Sequence, residues 1–215
     1  MKSRKITNSG GNKVIGKFPS LKLNKVVWYE SLLERDYLYL LEFDPDVVSF
    51  REQPGRIYYI RDGKKRRYTP DLLVQRRDGT HIVEVKPKEK LADEKLIHVF
   101  RIARHVCSGE GYEFKVATEE LIRLQPRLDN VKLLYKYART PIHPQHQISC
   151  YEFFVGKQGA ALGELMQFFA SENIEPQVVY ALIYRGVITI NLMEPISADS
   201  VVRLPMPASA ARKVS

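Results

Sequence analysis

The chain has 215 residues, 44% hydrophobic and 27% charged, which suits a globular protein of one large domain or two modest ones. Its 34 Lys and Arg against 25 Asp and Glu give a formal charge of +9, an excess that favours a polyanionic partner such as DNA or RNA. Cys107 and Cys150 alone make neither a disulfide framework nor a CxxC metal pair, no apolar run approaches a membrane span, and MKSRKITNSGGNKVIGKF lacks a signal-peptide core, so a soluble, cytoplasmic protein is expected.

Residues 1–24 are basic and rich in Gly, Ser and Asn. They read as an arm whose Lys2, Arg4, Lys5, Lys13, Lys17 and Lys22 hold phosphate backbone without reading sequence. Apolar residues at 26, 29, 33, 37, 40 and 41 have helical spacing, so the sequence predicts a helix from Val26 to Phe43, closed by Pro45. Strands are expected at VVSF (47–50) and RIYYI (56–60), the second leading through Asp62-Gly63 into the basic run KKRR, whose readings are a solvated hairpin tip, a phosphate contact or, more weakly, a nuclear-localisation signal. An amphipathic helix over 91–107 and a strand over 112–118 follow, then short helices in EELIRL and NVKLLYKYA. The Pro- and His-containing segment 141–147 reads as a linker, with His143 and His146 lacking the acidic or Cys partner of a metal site. Beyond it come two helices, LGELMQFFASENI and PQVVYALIYRG, and a β-wing made of ITINL and SVVRLP.

The stretch YTPDLLVQRRDGTHIVEVKPK carries the chemistry. Two β-rich runs flank Asp78-Gly79, a strong hairpin signal. With that dipeptide at the turn centre, Asp71 stands opposite Lys86 and diagonal to Glu84, with backbones roughly 7–8 Å apart and all three side chains on one face. Val83 and Val85 point the other way, into a core. A salt-bridge ladder on a solvated face accounts for the same letters. So does catalysis: hard carboxylate oxygens hold Mg²⁺ together with substrate phosphate, and a neighbouring ammonium orients water or offsets charge. Asp, a spacer and then Glu-x-Lys on a strand is the PD-(D/E)xK nuclease pattern, met here by Pro70-Asp71 and Glu84-Val85-Lys86.

GKFPSLK, ESLLERDYLYLLEFDPDVVSFREQP, YTPDLLV and IVEVKPK together resemble the TnsA endonucleases of cut-and-paste transposons, from about Gly16 to Thr118. The resemblance implies a restriction-endonuclease-like α/β fold, a mixed sheet flanked by helices, followed by a small winged-helix-like domain. It implies a site in which Glu34, Asp71, Glu84 and Lys86 are catalytic, and Asp71, Glu84, the Val85 carbonyl and Glu34 hold Mg²⁺ or Mn²⁺. Spacing alone leaves Glu30 as an alternative to Glu34, and Ser31-x-x-Glu34 also reads as a capping box, set aside because residues 28–30 continue the expected helix. Gln53 belongs to the EQP motif without assigned chemistry. The domain plan is an arm (1–24), an endonuclease domain (25–140), a linker (141–147) and a partner-binding domain (148–215). The implied activity is cleavage of transposon 5′ ends, with transposon-end DNA, a TnsB-type transposase and a TnsC-type AAA+ regulator as partners. Other readings are a stand-alone restriction or repair nuclease and a non-catalytic DNA-binding regulator.

Overall fold

A computed structural model of the chain describes residues 14–205, so Lys2, Arg4, Lys5 and Lys13 of the expected arm lie outside the described residues. The chain divides into two compact units between Leu124 and Gln125. The division falls ahead of the border expected at 140–141: the helix over 127–136 lies in the second unit, and residues 144–147 form the first turn of a helix.

The first unit begins with a hairpin of β1 (Gly16–Ser20) and β2 (Lys25–Tyr29). Here the helix expected from Val26 is corrected to a strand. Phe18 and Val27 face each other across the ladder and are buried, whereas Val26, one of the residues that set the helical period, is exposed. β-branched and aromatic residues side by side suit a pleated surface once GKFPS supplies a partner. Helix α1 (Leu32–Phe43) then starts at Ser31, whose Oγ accepts the Glu34 N–H at 3.1 Å. The capping reading of Ser31 and Glu34 is therefore the right one for the helix start.

Lys22 closes the other end of α1. Its ammonium donates to the carbonyls of Leu41, Asp44 and Val47, and its backbone N–H donates to buried Glu42 at 2.6 Å. Carbonyls at a helix C-terminus lack intrahelical partners, so a cation there satisfies them and the helix dipole together. Burial draws the Lys22 ammonium below the ordinary lysine value, against the pull of Glu42 and Asp44. Lys17 sits 4.9 Å from the centroid of the Trp28 ring. Both cations of the arm that the structure describes are thus engaged by the fold.

Strands β3 (Val47–Glu52), β4 (Ile57–Arg61), β5 (Lys64–Tyr68), β6 (Leu72–Arg76), β7 (Gly79–Val85) and β8 (Glu113–Ala117) follow, with a 3₁₀ turn at Lys88–Ala92 and helix α2 (Glu94–Gly109) between β7 and β8. β4 and β5 form a separate two-stranded ribbon. The others make a mixed sheet in the order β3-β6-β7-β8, antiparallel except for the parallel pair β7 and β8. A parallel pair needs a long crossover, and α2 supplies it. Ile82 and Phe114 pack on Val99, Phe100, Ala103 and Cys107 of α2. The other face buries Leu72, Val74, Val83 and Val85. β7 is therefore sealed on both sides, and Glu84 lies within it at 2% exposure. Helix α3 (Glu119–Ile122) is tied to α1 by Arg123, whose Nε lies 2.9 Å from buried Asp36.

The second unit contains α4 (Arg127–Lys136), α5 (Pro144–Phe153), β9 (Ala160–Ala161), α6 (Leu162–Ser171), α7 (Pro176–Tyr184), β10 (Thr189–Ile190) and β11 (Val201–Arg203). Its small antiparallel sheet has the order β10-β11-β9. Leu165, Phe169, Val179, Leu182, Ile188 and Val202 are fully buried. Asn130 pins the chain between β10 and β11, donating to the carbonyls of Leu192 and Glu194 and accepting from the Ile196 N–H. His146 Nδ1 accepts the His143 N–H at the start of α5.

Candidate active site

The two hairpins of the first unit use their Asp-Gly pairs differently. At the tip of β4–β5, Asp62 (φ +52°) and Gly63 (φ +67°) occupy the turn itself, both in the left-handed region. That is the backbone a tight hairpin turn requires. In β6–β7 the ladder ends with Arg76 opposite Gly79, so Arg77-Asp78 is the turn and Gly79 starts the strand. Loop contacts fix this choice: the Arg77 N–H donates to the Asp46 carbonyl at 3.0 Å, and the Arg76 guanidinium lies 2.8 Å from Asp44.

This corrects the expected register. Leu72 faces Val83, so Asp71, the next residue outward, stands opposite Glu84 rather than opposite Lys86. The shift is two residues in the pairing sum, so face parity survives and the two carboxylates become direct neighbours instead of diagonal ones. Asp71, Glu84 and Lys86 share the face that packs on α2, while Val83 and Val85 point to the opposite core.

The expected site residues come together. Glu34, Asp71, Glu84, Val85 and Lys86 line one cavity of about 470 Å³, with Glu30, Gln53 and Tyr68 also on its wall. Asp71 Oδ2 accepts the Val85 N–H at 2.8 Å. Glu84 has both oxygens engaged, Oε1 with the Lys86 ammonium at 2.7 Å and Oε2 with the Tyr68 hydroxyl at 2.6 Å. Glu34 stands at the start of α1, where its carboxylate accepts from the Glu30 N–H at 2.8 Å and the Ser31 hydroxyl at 3.0 Å. The cap holds Glu34 in one orientation toward the cavity.

The electrostatics follow from crowding. Burial, then the Glu84 carboxylate, raise Asp71 well above the ordinary value, and Lys86 only partly opposes them. Burial also raises Glu34. Burial pulls Lys86 down, but Asp71 and Glu84 outweigh it and hold the ammonium above the ordinary lysine value. Lys86 thus holds its proton in the metal-free site. Burial and the adjoining Glu84 raise the Tyr68 phenol strongly, so it remains a donor.

A site in which two carboxylates face each other, Asp71 among them at raised proton affinity, is short of positive charge, and one ammonium does not fill the deficit. Asp71 and Glu84 supply the hard oxygens that Mg²⁺ or Mn²⁺ takes, and the donor set fits such an ion. Among the described residues no three His, Cys, Asp or Glu side chains already stand as a ligand cluster.

Two residues of the site have roles that the sequence did not disclose. Tyr68 orients Glu84 across 16 positions of chain; its only sequence signal is its place three residues before Asp71. Gln53, with φ at +45°, donates its N–H to the Asp71 carbonyl and its side-chain amide to Glu30 Oε1, both at 2.8 Å. A non-glycine residue in this conformation costs energy and is held by its surroundings. Gln53 belonged to the EQP motif, and its work is to tie the end of β3 to Asp71 and to the turn before α1.

Residues 44–119 match the family model described as TnsA-like endonuclease N terminal, which confirms the resemblance over that segment. The match takes in Asp71, Glu84 and Lys86 and stops short of Glu34 and of the second unit. No curated relative matches the chain. No helix among the described residues is long and apolar enough to cross a membrane.

Proposed function

We propose that this chain, whose residues 44–119 carry a TnsA-like endonuclease domain, is the DNA-cutting subunit of a heteromeric cut-and-paste transposase. It hydrolyses a phosphodiester at the 5′ ends of the transposon, beside a TnsB-type transposase. The observation that carries this reading is the pairing of Asp71 with Glu84 on one face, with Lys86 on Glu84 and Glu34 lining the same cavity.

Asp71, Glu84, the Val85 carbonyl and Glu34 are the groups that would hold Mg²⁺ or Mn²⁺. When bound, the ion lowers the pKa of water and neutralises charge on the phosphate. The protein residues do the rest. Tyr68 and the Val85 N–H fix the two carboxylates, so that little reorganisation accompanies reaction. As an ammonium, Lys86 offsets charge on the phosphate oxygens and orients the attacking water. The water oxygen bonds to phosphorus and gives its proton to solvent, one P–O ester bond breaks, and the departing oxygen takes a proton from solvent, so the net reaction adds one water across the ester bond.

The second unit is winged-helix-like in this reading, supported by the order from α5 onward of helix, strand, two helices and two strands and by the sheet order β10-β11-β9. It chiefly binds protein, a TnsC-type AAA+ regulator. A DNA reader would carry basic residues on α7, yet Arg185, at its end, donates to the Ala138 and Thr140 carbonyls at 3.5 and 3.0 Å.

The test is strand cleavage of a transposon-end duplex by the full chain with its transposase partner, in Mg²⁺ and in Mn²⁺. Cuts at the 5′ ends that vanish in Asp71→Asn are expected. Cleavage unaffected by that substitution overturns the site assignment, and cleavage of any duplex by the chain alone favours a stand-alone nuclease.

A further inference from the structure

Lys64, Lys65, Arg66 and Arg67 occupy four successive positions of β5, all exposed. Among the described residues none of the four has an ion-pair partner; the one acid at the ribbon tip, Asp62, lies 3.6 Å from Arg61. A strand of four unpaired cations repels itself, so the fold gains nothing from it. Lys17 and Lys22, by contrast, are engaged on Trp28 and on the end of α1. Among the described residues of the first unit, β5 carries the longest run of cations without an ion-pair partner.

The register divides that charge between two faces. Ile57, Tyr59 and Tyr68 point inward and pack against the α2 cluster. Tyr58, Ile60, Lys65 and Arg67 point outward, with Tyr58 at 55% and Ile60 at 73% exposure, and the Lys65 ammonium 5.2 Å from the Tyr58 ring centroid. An outer face of two cations and two large apolar side chains, on an otherwise well-packed unit, calls for an occupant.

The ribbon is rooted in the cavity. β4 follows shortly after Glu52 and Gln53, and β5 ends at Tyr68, which holds Glu84; all three line the cavity. Five residues of strand reach about 17 Å from that rim, and Lys65 and Arg67 stand about 7 Å apart. Each phosphate on one DNA strand advances about 3.4 Å along the axis while turning about it, which sets adjacent phosphates about 7 Å apart, so two adjacent phosphates match that separation.

We propose that the outer face of the β4–β5 ribbon grips the phosphate backbone of the duplex flanking the scissile bond, through Lys65 and Arg67, with Tyr58 and Ile60 against the sugars. The occupant is double-stranded DNA, read without sequence preference; the proposal rests on the nuclease reading above. Lys64 and Arg66 add to the field that draws the duplex in.

The experiment is equilibrium binding of a random-sequence DNA duplex to the full chain, without divalent metal, across a salt series. The double substitution Lys65→Ser with Arg67→Ser should lower the slope of log K against log salt by about 2 and weaken binding on the order of 10- to 100-fold near 0.1 M salt. A matched loss of charge on α2, Arg101→Ser with Arg104→Ser, should leave the slope near that of the wild type. An unchanged slope in the ribbon variant, equal losses in both variants, or tighter binding of duplex RNA than of DNA would each overturn the proposal. Circular dichroism and melting of both variants separate loss of grip from loss of fold. Because no cleavage is read, the grip and the nuclease chemistry can fail separately.

Discussion

The β4–β5 and β6–β7 hairpins lie next to each other in sequence and carry the same Asp-Gly dipeptide, yet they answer to different constraints. The first is a ribbon with one packed face, and its turn is the one that local backbone chemistry selects: Asp62 and Gly63 both take positive φ. The second is locked into a sheet between β3 and β8, and contacts to Asp44 and Asp46 move its turn onto Arg77-Asp78. Local propensity decides where tertiary partners are few. Where they are many, it yields, and the yielding places Asp71 against Glu84.

The largest effect should come from breaking the buried hairpin at its charged end. Asp71→Asn should lower strand cleavage about 10²–10³-fold or more, as loss of a preorganised electrostatic group does. The same variant should raise the melting temperature of the metal-free protein, since it removes a carboxylate that burial and Glu84 disfavour. Mg²⁺ or Mn²⁺ should then stabilise the wild type, by about 2.7 kcal/mol at 100 times Kd, and should leave the variant unmoved. Calorimetry with and without metal checks both halves.

The pH dependence of stability has a definite sign. The folded value for Asp71 lies above its ordinary 3.8, so between the two the native state binds more protons than the unfolded chain. Metal-free stability contributed by this group is full below that ordinary value and falls as pH rises through the raised one; Glu34 acts in the same direction. Denaturant titrations without metal should show this loss, and Asp71→Asn should flatten it. A rise in stability over that window would contradict the crowding of the two carboxylates.

Next in size is Lys86→Gln, which should leave metal uptake largely intact while turnover falls about 10²-fold, read by metal titration and single-turnover cleavage on one preparation. Tyr68→Phe should be milder. It leaves one oxygen of buried Glu84 without its donor, at a cost of about 1–3 kcal/mol in stability. The smallest pair tests the turns themselves. Gly63→Ala should cost about 1 kcal/mol, because φ is +67° there, whereas Asp78→Ala should stay within about 0.5 kcal/mol, its φ being ordinary. Urea midpoints of the two variants check the contrast.

Much of the site was legible because strand parity is robust. Any even shift of the β6–β7 pairing keeps Asp71, Glu84 and Lys86 on one face, so a misplaced turn still left the three side chains together. The mixed sheet flanked by helices came from the family resemblance, whereas the helices α6 and α7 of the second unit followed from the residues themselves. What was not legible depends on distant partners. VVWYE carries enough apolar residues to pass for the first turns of a helix until Gly16–Ser20 pairs with it. The role of Tyr68 depends on a bond to Glu84 that only the folded chain creates. The unit border at Leu124 and Gln125 carries no Gly-rich or charged tract, whereas 141–147 has the composition of a linker and instead opens α5.

The bond from the Gln53 N–H to the Asp71 carbonyl has a topological consequence. It extends the β3–β6 ladder by one step beyond Glu52 and Leu72, so residues 54–70 form a single excursion closed at its neck. Seen this way, β3 and β6 are one long hairpin, and the ribbon is an insertion in its loop. Lengthening such a loop costs little, about 0.6 kcal/mol for each doubling. The reach of the insertion can therefore change while the register that aligns the carboxylates stays fixed at the neck. Tyr68 must keep its distance from the neck, because its hydroxyl still has to meet Glu84.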